Sequence, residues 1–181
     1  MLNPIISVFL HFPLKFCFTV LVMIDISAFT YITIRRMSNR ELITRKKGIL
    51  SWVLINYLLV LFFLTIFGRR SWDYYRYNFD IEYSYLYVLT TSDYNMAIQI
   101  IVNIGAFAPI GMMAYYLCNK CAFKKSVCFG MVVSLLIELL QLLLKRGFFE
   151  FDDLMSNIIG TIVGSLLIVI YRFIRIKKVR S

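Results

Sequence analysis

One histidine, His11, is all that the 181 residues contain. Ser-His-Asp and Cys-His nucleophilic arrangements need an imidazole beside the nucleophile, so they are excluded from the body of the chain. The paired histidines of a helical metalloprotease site are missing too, and no Gly-rich phosphate loop occurs. Cysteine is sparse, with Cys17, Cys118, Cys121 and Cys128. Cys118 and Cys121 form a lone CxxC, whereas a zinc site takes about four ligands. The pair reads as reduced and structural, and no metal or cofactor is expected. Charged residues make up 17% of the chain, against about 25% in an ordinary soluble domain. Acids are the scarcer sign, with 10 Asp+Glu beside 20 Lys+Arg.

Apolar side chains fill the space that charge leaves. Hydrophobic residues are 60% and aromatics 17% of the sequence, and mean hydropathy is +0.75. That composition excludes a disordered chain, a disulfide scaffold and a typical cytosolic enzyme. It predicts an all-α, polytopic transmembrane helix bundle. A crossing helix needs about 20 mostly apolar residues, and five stretches qualify: 16–34, 49–67, 96–117, 126–144 and 154–171. The first carries Asp25 and is followed by Arg35 and Arg36 in place of a small-residue cleavage site, so it reads as an uncleaved anchor. The apolar segment before it is expected in the membrane interface.

Cations gather between the spans. Arg35, Arg36, Arg40, Arg45, Lys46 and Lys47 fall in one linker, Lys120, Lys124 and Lys125 in another, and Arg172, Arg175, Lys177, Lys178 and Arg180 in the tail. Fewer fall on the other side: Lys15, Arg69, Arg70, Arg76, Lys145 and Arg146. The positive-inside rule then puts the N-terminus outside and the C-terminus in the cytoplasm. This clumping reads as topology and contact with anionic lipid, and no nucleic acid is expected as a partner. The loop 68–95 faces outward in this scheme. Its aromatics, among them Trp72, Tyr74, Tyr75, Tyr77, Phe79, Tyr83, Tyr85, Tyr87 and Tyr94, form either an interfacial belt or a stacking surface for a ligand.

Polar groups inside the spans are costly and mark function or a buried partner. Glu138 sits about 9 Å inside the end of its span at 1.5 Å per residue. Gln141 and Ser134 share its helix face at three- and four-residue spacing. Asp152, Asp153 and Asn157 open the last span, and Asn103 lies at similar depth on the third. The short loop 145–151 forces the fourth and fifth spans side by side, and Arg146 is placed to pair with a carboxylate there. Two readings remain open. The cluster is a ligand pocket lined by Asn103, Glu138, Gln141, Arg146, Asp152, Asp153 and Asn157, or an interhelical clamp whose hydrogen bonds are worth about 0.6 kcal/mol each. Gly160 and Gly164 form GxxxG, expected to pack helices closely within the bundle. Pro109, with Gly105 and Gly111, suggests a kinked third span.

Two stretches carry a family resemblance. Residues 103–111 read NIGAFAPIG, and 138–164 read ELLQLLLKRGFFEFDDLMSNIIGTIVG. They resemble the VanZ-like bacterial membrane proteins, whose pattern runs Asn, Phe-x-Pro-x-Gly, Glu-x-x-Gln, Arg, a carboxylate, Asp, Asn and Gly. Here Asn103, Phe107, Pro109, Gly111, Glu138, Gln141, Arg146, Glu150, Asp153, Asn157 and Gly160 fill those places. The Asn-x-x-Pro-Phe that many members carry before the Asn is absent. The resemblance covers roughly residues 50–173, and with the anchor reading of the first span it gives an anchor and basic linker over 1–48 and a VanZ-like domain over 49–181. It also implies a multi-pass protein of the bacterial plasma membrane, linked to glycopeptide (teicoplanin) resistance. The expected function is binding of a cell-wall precursor, lipid or lipoglycopeptide at the outer leaflet. The alternatives are an intramembrane enzyme, with Glu138 as base and Asp153 in support, and a small transporter.

Overall fold

The structure, a computed structural model, describes residues 4–69, 71–78, 83–91, 94–147 and 149–180, except for the side chains of 4–18, Phe67, Tyr83, Ser84, Val179 and Arg180. The interfacial side chains expected before Phe16 therefore lie outside the described residues, as do His11, Lys15, Cys17, Arg70, Phe79 and the ring of Tyr83. The chain divides into two units, Met1–Leu59 and Val60–Ser181.

The first unit is an antiparallel helix pair built from α1 (Pro4–Asn39) and the start of α2 (Arg45–Phe62). The turn between them closes α1 with a left-handed residue, Glu41 at φ 59°. Leu42 N–H donates to Met37 O and Glu41 N–H to Ser38 O, both at 3.1 Å. Those two bonds satisfy carbonyls that the helix end leaves orphaned. Farther along, Trp52 Nε1 donates to Ser27 O at 3.1 Å, and its ring meets Tyr31 edge-on at 5.9 Å. The expected first span falls within α1, where Asp25 is exposed.

The second unit is a three-helix core of α4 (Tyr94–Leu117), α5 (Ala122–Leu143) and α6 (Phe151–Arg180). A π-helical segment, Phe63–Phe67, leads in from α2, and a short α3 (Tyr83–Thr91) precedes the core. Two-residue strands β1 (Tyr77–Asn78) and β2 (Phe149–Glu150) pair in parallel. Among the described residues, four stretches are long and apolar enough to cross a membrane: Arg45–Ile66, Tyr94–Leu117, Ala122–Leu143 and Phe151–Lys178. The protein is thus an all-α bundle with membrane-spanning helices.

Burial runs opposite to that of a soluble protein. Ser126, Ser134, Glu138, Gln141, Ser156, Thr161 and Ser165 are buried, while Leu64, Ile101, Leu143, Phe173 and many other large apolar side chains are exposed. Helix α5 buries Ser126, Gly130, Ser134 and Glu138 at four-residue spacing. Helix α6 answers with Ser165, Thr161, Asn157 and Asp153, running the other way. Ser126 Oγ and Ser165 Oγ meet at 2.8 Å, Gly130 faces the Thr161 side chain, and Asn157 Nδ2 donates to Ser134 Oγ at 2.8 Å. On the other flank, α4 and α6 approach through glycine. A Cβ on Gly160 would strike Ile104 O, one on Gly164 would strike Ala108 O, and one on Gly111 would strike Thr161 O. The GxxxG pair therefore serves packing inside the bundle. Helix α4 runs unbroken through Pro109.

These contacts set up a paired test. Gly164→Ala overpacks the α4–α6 seam and should cost about 1–3 kcal/mol. At Gly105 a Cβ would meet nothing within 4 Å, so Gly105→Ala should gain about 0.5–1 kcal/mol from helix propensity. Unfolding titrations of both variants in mixed detergent measure the two signs.

Candidate functional site

The polar seam ends where α5 finishes and α4 and α6 begin. Its last rung sets Glu138 opposite Asp153, two carboxylates within electrostatic range of each other. Like charges so placed need donors. Asp153 receives three: Asn103 Nδ2 at 2.7 Å on Oδ1, Gln99 Nε2 at 3.2 Å on the same oxygen, and Arg69 Nη2 at 3.1 Å on Oδ2. Asp152 and Asp153 also occupy the first turn of α6, where the helix dipole favours negative charge. Glu138, 1% exposed, accepts the Glu150 backbone N–H on Oε2 at 3.2 Å. Its Oε1 has no donor among the described residues.

The surrounding loops are built to hold this rung. Helix α5 stops at a left-handed Lys145, φ 53°, with Arg146 N–H on Gln141 O at 2.8 Å and Lys145 N–H on Leu142 O at 3.0 Å. This repeats the motif that closes α1. Gly147 follows at φ 93°, and a Cβ there would sit 2.6 Å from Arg69 Cδ. The Arg69 side chain reaches Asp153 across that bare glycine. Residues 71–78 then fold over the turn. Trp72 N–H donates to Lys145 O at 2.9 Å and Phe149 N–H to Arg76 O at 3.0 Å, while Lys145 Nζ reaches Asp73 O at 3.0 Å. The Arg76 guanidinium lies over the Trp72 ring at 4.0 Å, and Tyr85 Oη meets Ser156 Oγ at 2.7 Å. Part of the aromatic loop is thus a lid on the polar end, with Tyr74, Tyr75 and Tyr77 left exposed.

Of the residues nominated from sequence, Asn103, Glu138 and Asp153 come together directly. Asn157 lies one turn deeper, bonded to Ser134, and Asp152 is buried beside Asp153. Gln141 points its amide N–H to Thr65 O at 3.2 Å, leaving a buried Oε1 with no partner among the described residues. Arg146 helps form the turn through its backbone and an isolated bridge to Ser71. The cation on Asp153 is Arg69, which sequence reasoning did not nominate. Gln99 was also missed as a site residue, although it sits one helical turn before Asn103 on the same face. Glu150, which stood only in the family pattern, accepts Gln99 Nε2 at 3.2 Å.

Such a fold and rung define a helical membrane protein with a buried acidic cluster at one end of its bundle. Residues 48–173 match the family model described as VanZ/LLP1. The chain belongs to that VanZ-like family. No curated protein and no solved structure matches it.

Burial pushes the Glu150 carboxyl above the ordinary glutamate range, Asp153 adds to the rise, and Arg69 and the Gln99 bond oppose it. A carboxyl raised on folding binds its proton more tightly in the native state. Its contribution is greatest at low pH and declines as pH climbs from the ordinary value through the raised one. Thermal midpoints in detergent should fall across that window, and Glu150→Gln should flatten the fall; an unaltered profile in the variant would contradict the assignment. Gly147→Ala should displace Arg69 and cost about 1–3 kcal/mol through a weakened hold on Asp153. Calorimetry of Gly147→Ala beside Arg69→Gln checks whether the two losses overlap, as one shared contact requires.

Proposed function

We propose that this VanZ-like protein binds a donor-bearing or cationic group of a cell-envelope component or lipoglycopeptide, at the outer leaflet of a bacterial plasma membrane. Through that binding it contributes to glycopeptide (teicoplanin) resistance. The observation that carries the reading is the excess of acceptors in the recess. Among the described residues, Glu138 keeps one carboxyl oxygen without a donor, and Gln141 keeps a buried carbonyl oxygen in the same condition. Arg69 pairs with Asp153 alone of the three nearby carboxyls, Glu138 and Glu150 lying only within its electrostatic range. An incoming ammonium, amide or hydroxyl supplies what these oxygens lack, because a buried polar atom left unpaired costs about 1–3 kcal/mol. Family membership supports the link to glycopeptides and the bacterial envelope. The distribution of cations supports the outward placement of the recess.

Glu138→Gln keeps the shape of the side chain and removes its ionisable carboxyl. A strain carrying it should be as sensitive to teicoplanin as one lacking the protein, with membrane expression unchanged. Full protection in that strain would refute the role. For orientation, Tyr75→Cys should react with a membrane-impermeant maleimide in intact cells; reaction only after permeabilisation would reject outward placement.

A further inference from the structure

The first unit carries a second, chemically opposite site. A groove of about 440 Å³ runs between the end of α1 and the start of α2, lined by Tyr31, Ile34, Arg35, Ser38, Arg45 and Trp52 among others. That volume lies within the range of small-ligand pockets, about 300–1,000 Å³. Two guanidiniums face it from different helices. Neither Arg35 nor Arg45 has an ion-pair partner among the described residues, and Glu41, in the turn beside them, pairs with neither. The Ser38 hydroxyl, too, has no hydrogen-bond partner among the described residues. Arg45 is also the first residue of α2, so the positive end of that helix's dipole lies at the same end of the groove.

The other wall is apolar. Ile34 and Ile49 line it, and the indole N–H of Trp52 is already committed to Ser27 O. Its ring is therefore left as a hydrophobic face, braced by Tyr31. Gly48 forms the floor, where a Cβ would stand 3.0 Å from Ile34 Cγ2. The groove thus has a cationic, hydrogen-bonding mouth and an aromatic–aliphatic flank. It sits where the span Arg45–Ile66 begins, the level at which lipid headgroups meet a crossing helix.

We propose that this groove is a binding site for an anionic phospholipid, with Arg35 and Arg45 clasping the phosphate and the acyl chain lying along Ile34, Ile49 and Trp52. Guanidinium forks match phosphate oxygens in pairs. A free phosphate would satisfy the same arginines but leave the apolar flank unused.

Trp52 reports on the site directly. The full chain with Trp72→Phe has Trp52 as its sole indole, since the sequence holds two tryptophans. In a neutral detergent, titration with dihexanoyl phosphatidylglycerol should change its fluorescence saturably. Dihexanoyl phosphatidylcholine should bind at least tenfold more weakly, and inorganic phosphate should not saturate over the same range. Arg35→Gln with Arg45→Gln should weaken phosphatidylglycerol at least tenfold. Arg36→Gln with Arg40→Gln removes equal charge outside the groove and should leave the affinity within twofold. Ser38→Leu fills the groove while sparing both arginines, and should also weaken binding at least tenfold. It carries the test if the double arginine variant fails to fold. Equal response to the two lipids, equal loss in both arginine pairs, or saturation by phosphate alone at the same concentration would each overturn the proposal.

Discussion

Hydrocarbon offers no hydrogen bonds, so a polar side chain on a crossing helix must find its partner within the protein, on its own helix or a neighbouring one. In this protein that constraint is met by register. Helix α5 advances by four residues through Ser126, Gly130, Ser134 and Glu138 while α6 retreats by four through Ser165, Thr161, Asn157 and Asp153. A one-residue slip would turn hydroxyls and carboxylates toward lipid along the whole seam. The small rungs keep the backbones close, and Gly111, Gly160 and Gly164 do the same on the α4 side. Dispersion between tightly apposed helices, not burial of apolar area, then supplies the packing energy.

The last rung differs in kind from the others. Hydroxyl and amide rungs close on themselves, but a pair of carboxylates cannot. It recruits donors from segments that belong to no rung: Arg69 after the π-helical segment, Gln99 and Asn103 from the first turns of α4, and the Glu150 backbone from β2. Much of the architecture outside the core follows from this need. The parallel β1–β2 pairing seats residues 71–78 over the turn, and Gly147 clears the route by which Arg69 arrives.

The spans and the spacing of their polar residues were legible in the sequence, because hydropathy and a four-residue repeat are local properties. Glu138, Asp153 and Asn103 could be grouped because a short loop forces α5 against α6 and the depth of Asn103 matches. Gln99 carried the same periodic signal as Asn103. Arg69 carried none. It stands 84 residues from Asp153 in sequence, and the contact depends on a left-handed Lys145 and a bare Gly147 that no pattern announces. Arg146 was the nearer candidate in sequence, and its backbone N–H closes the end of α5 on Gln141 O. The basic linker was legible as charge, yet the groove beside it required the crossing of α1 and α2 to bring Arg35 and Arg45 to one cavity.

The hydrogen bonds also separate the two carboxylates of the last rung by role. Both oxygens of Asp153 are occupied, one by two amides and the other by a guanidinium. Three side chains from two other segments therefore fix the position of that carboxylate. Glu138 is held at one oxygen only among the described residues. A tethered carboxylate beside a carboxyl with a spare acceptor gives a hydrogen-bond donor one place to dock, which is the arrangement the proposed binding role draws on.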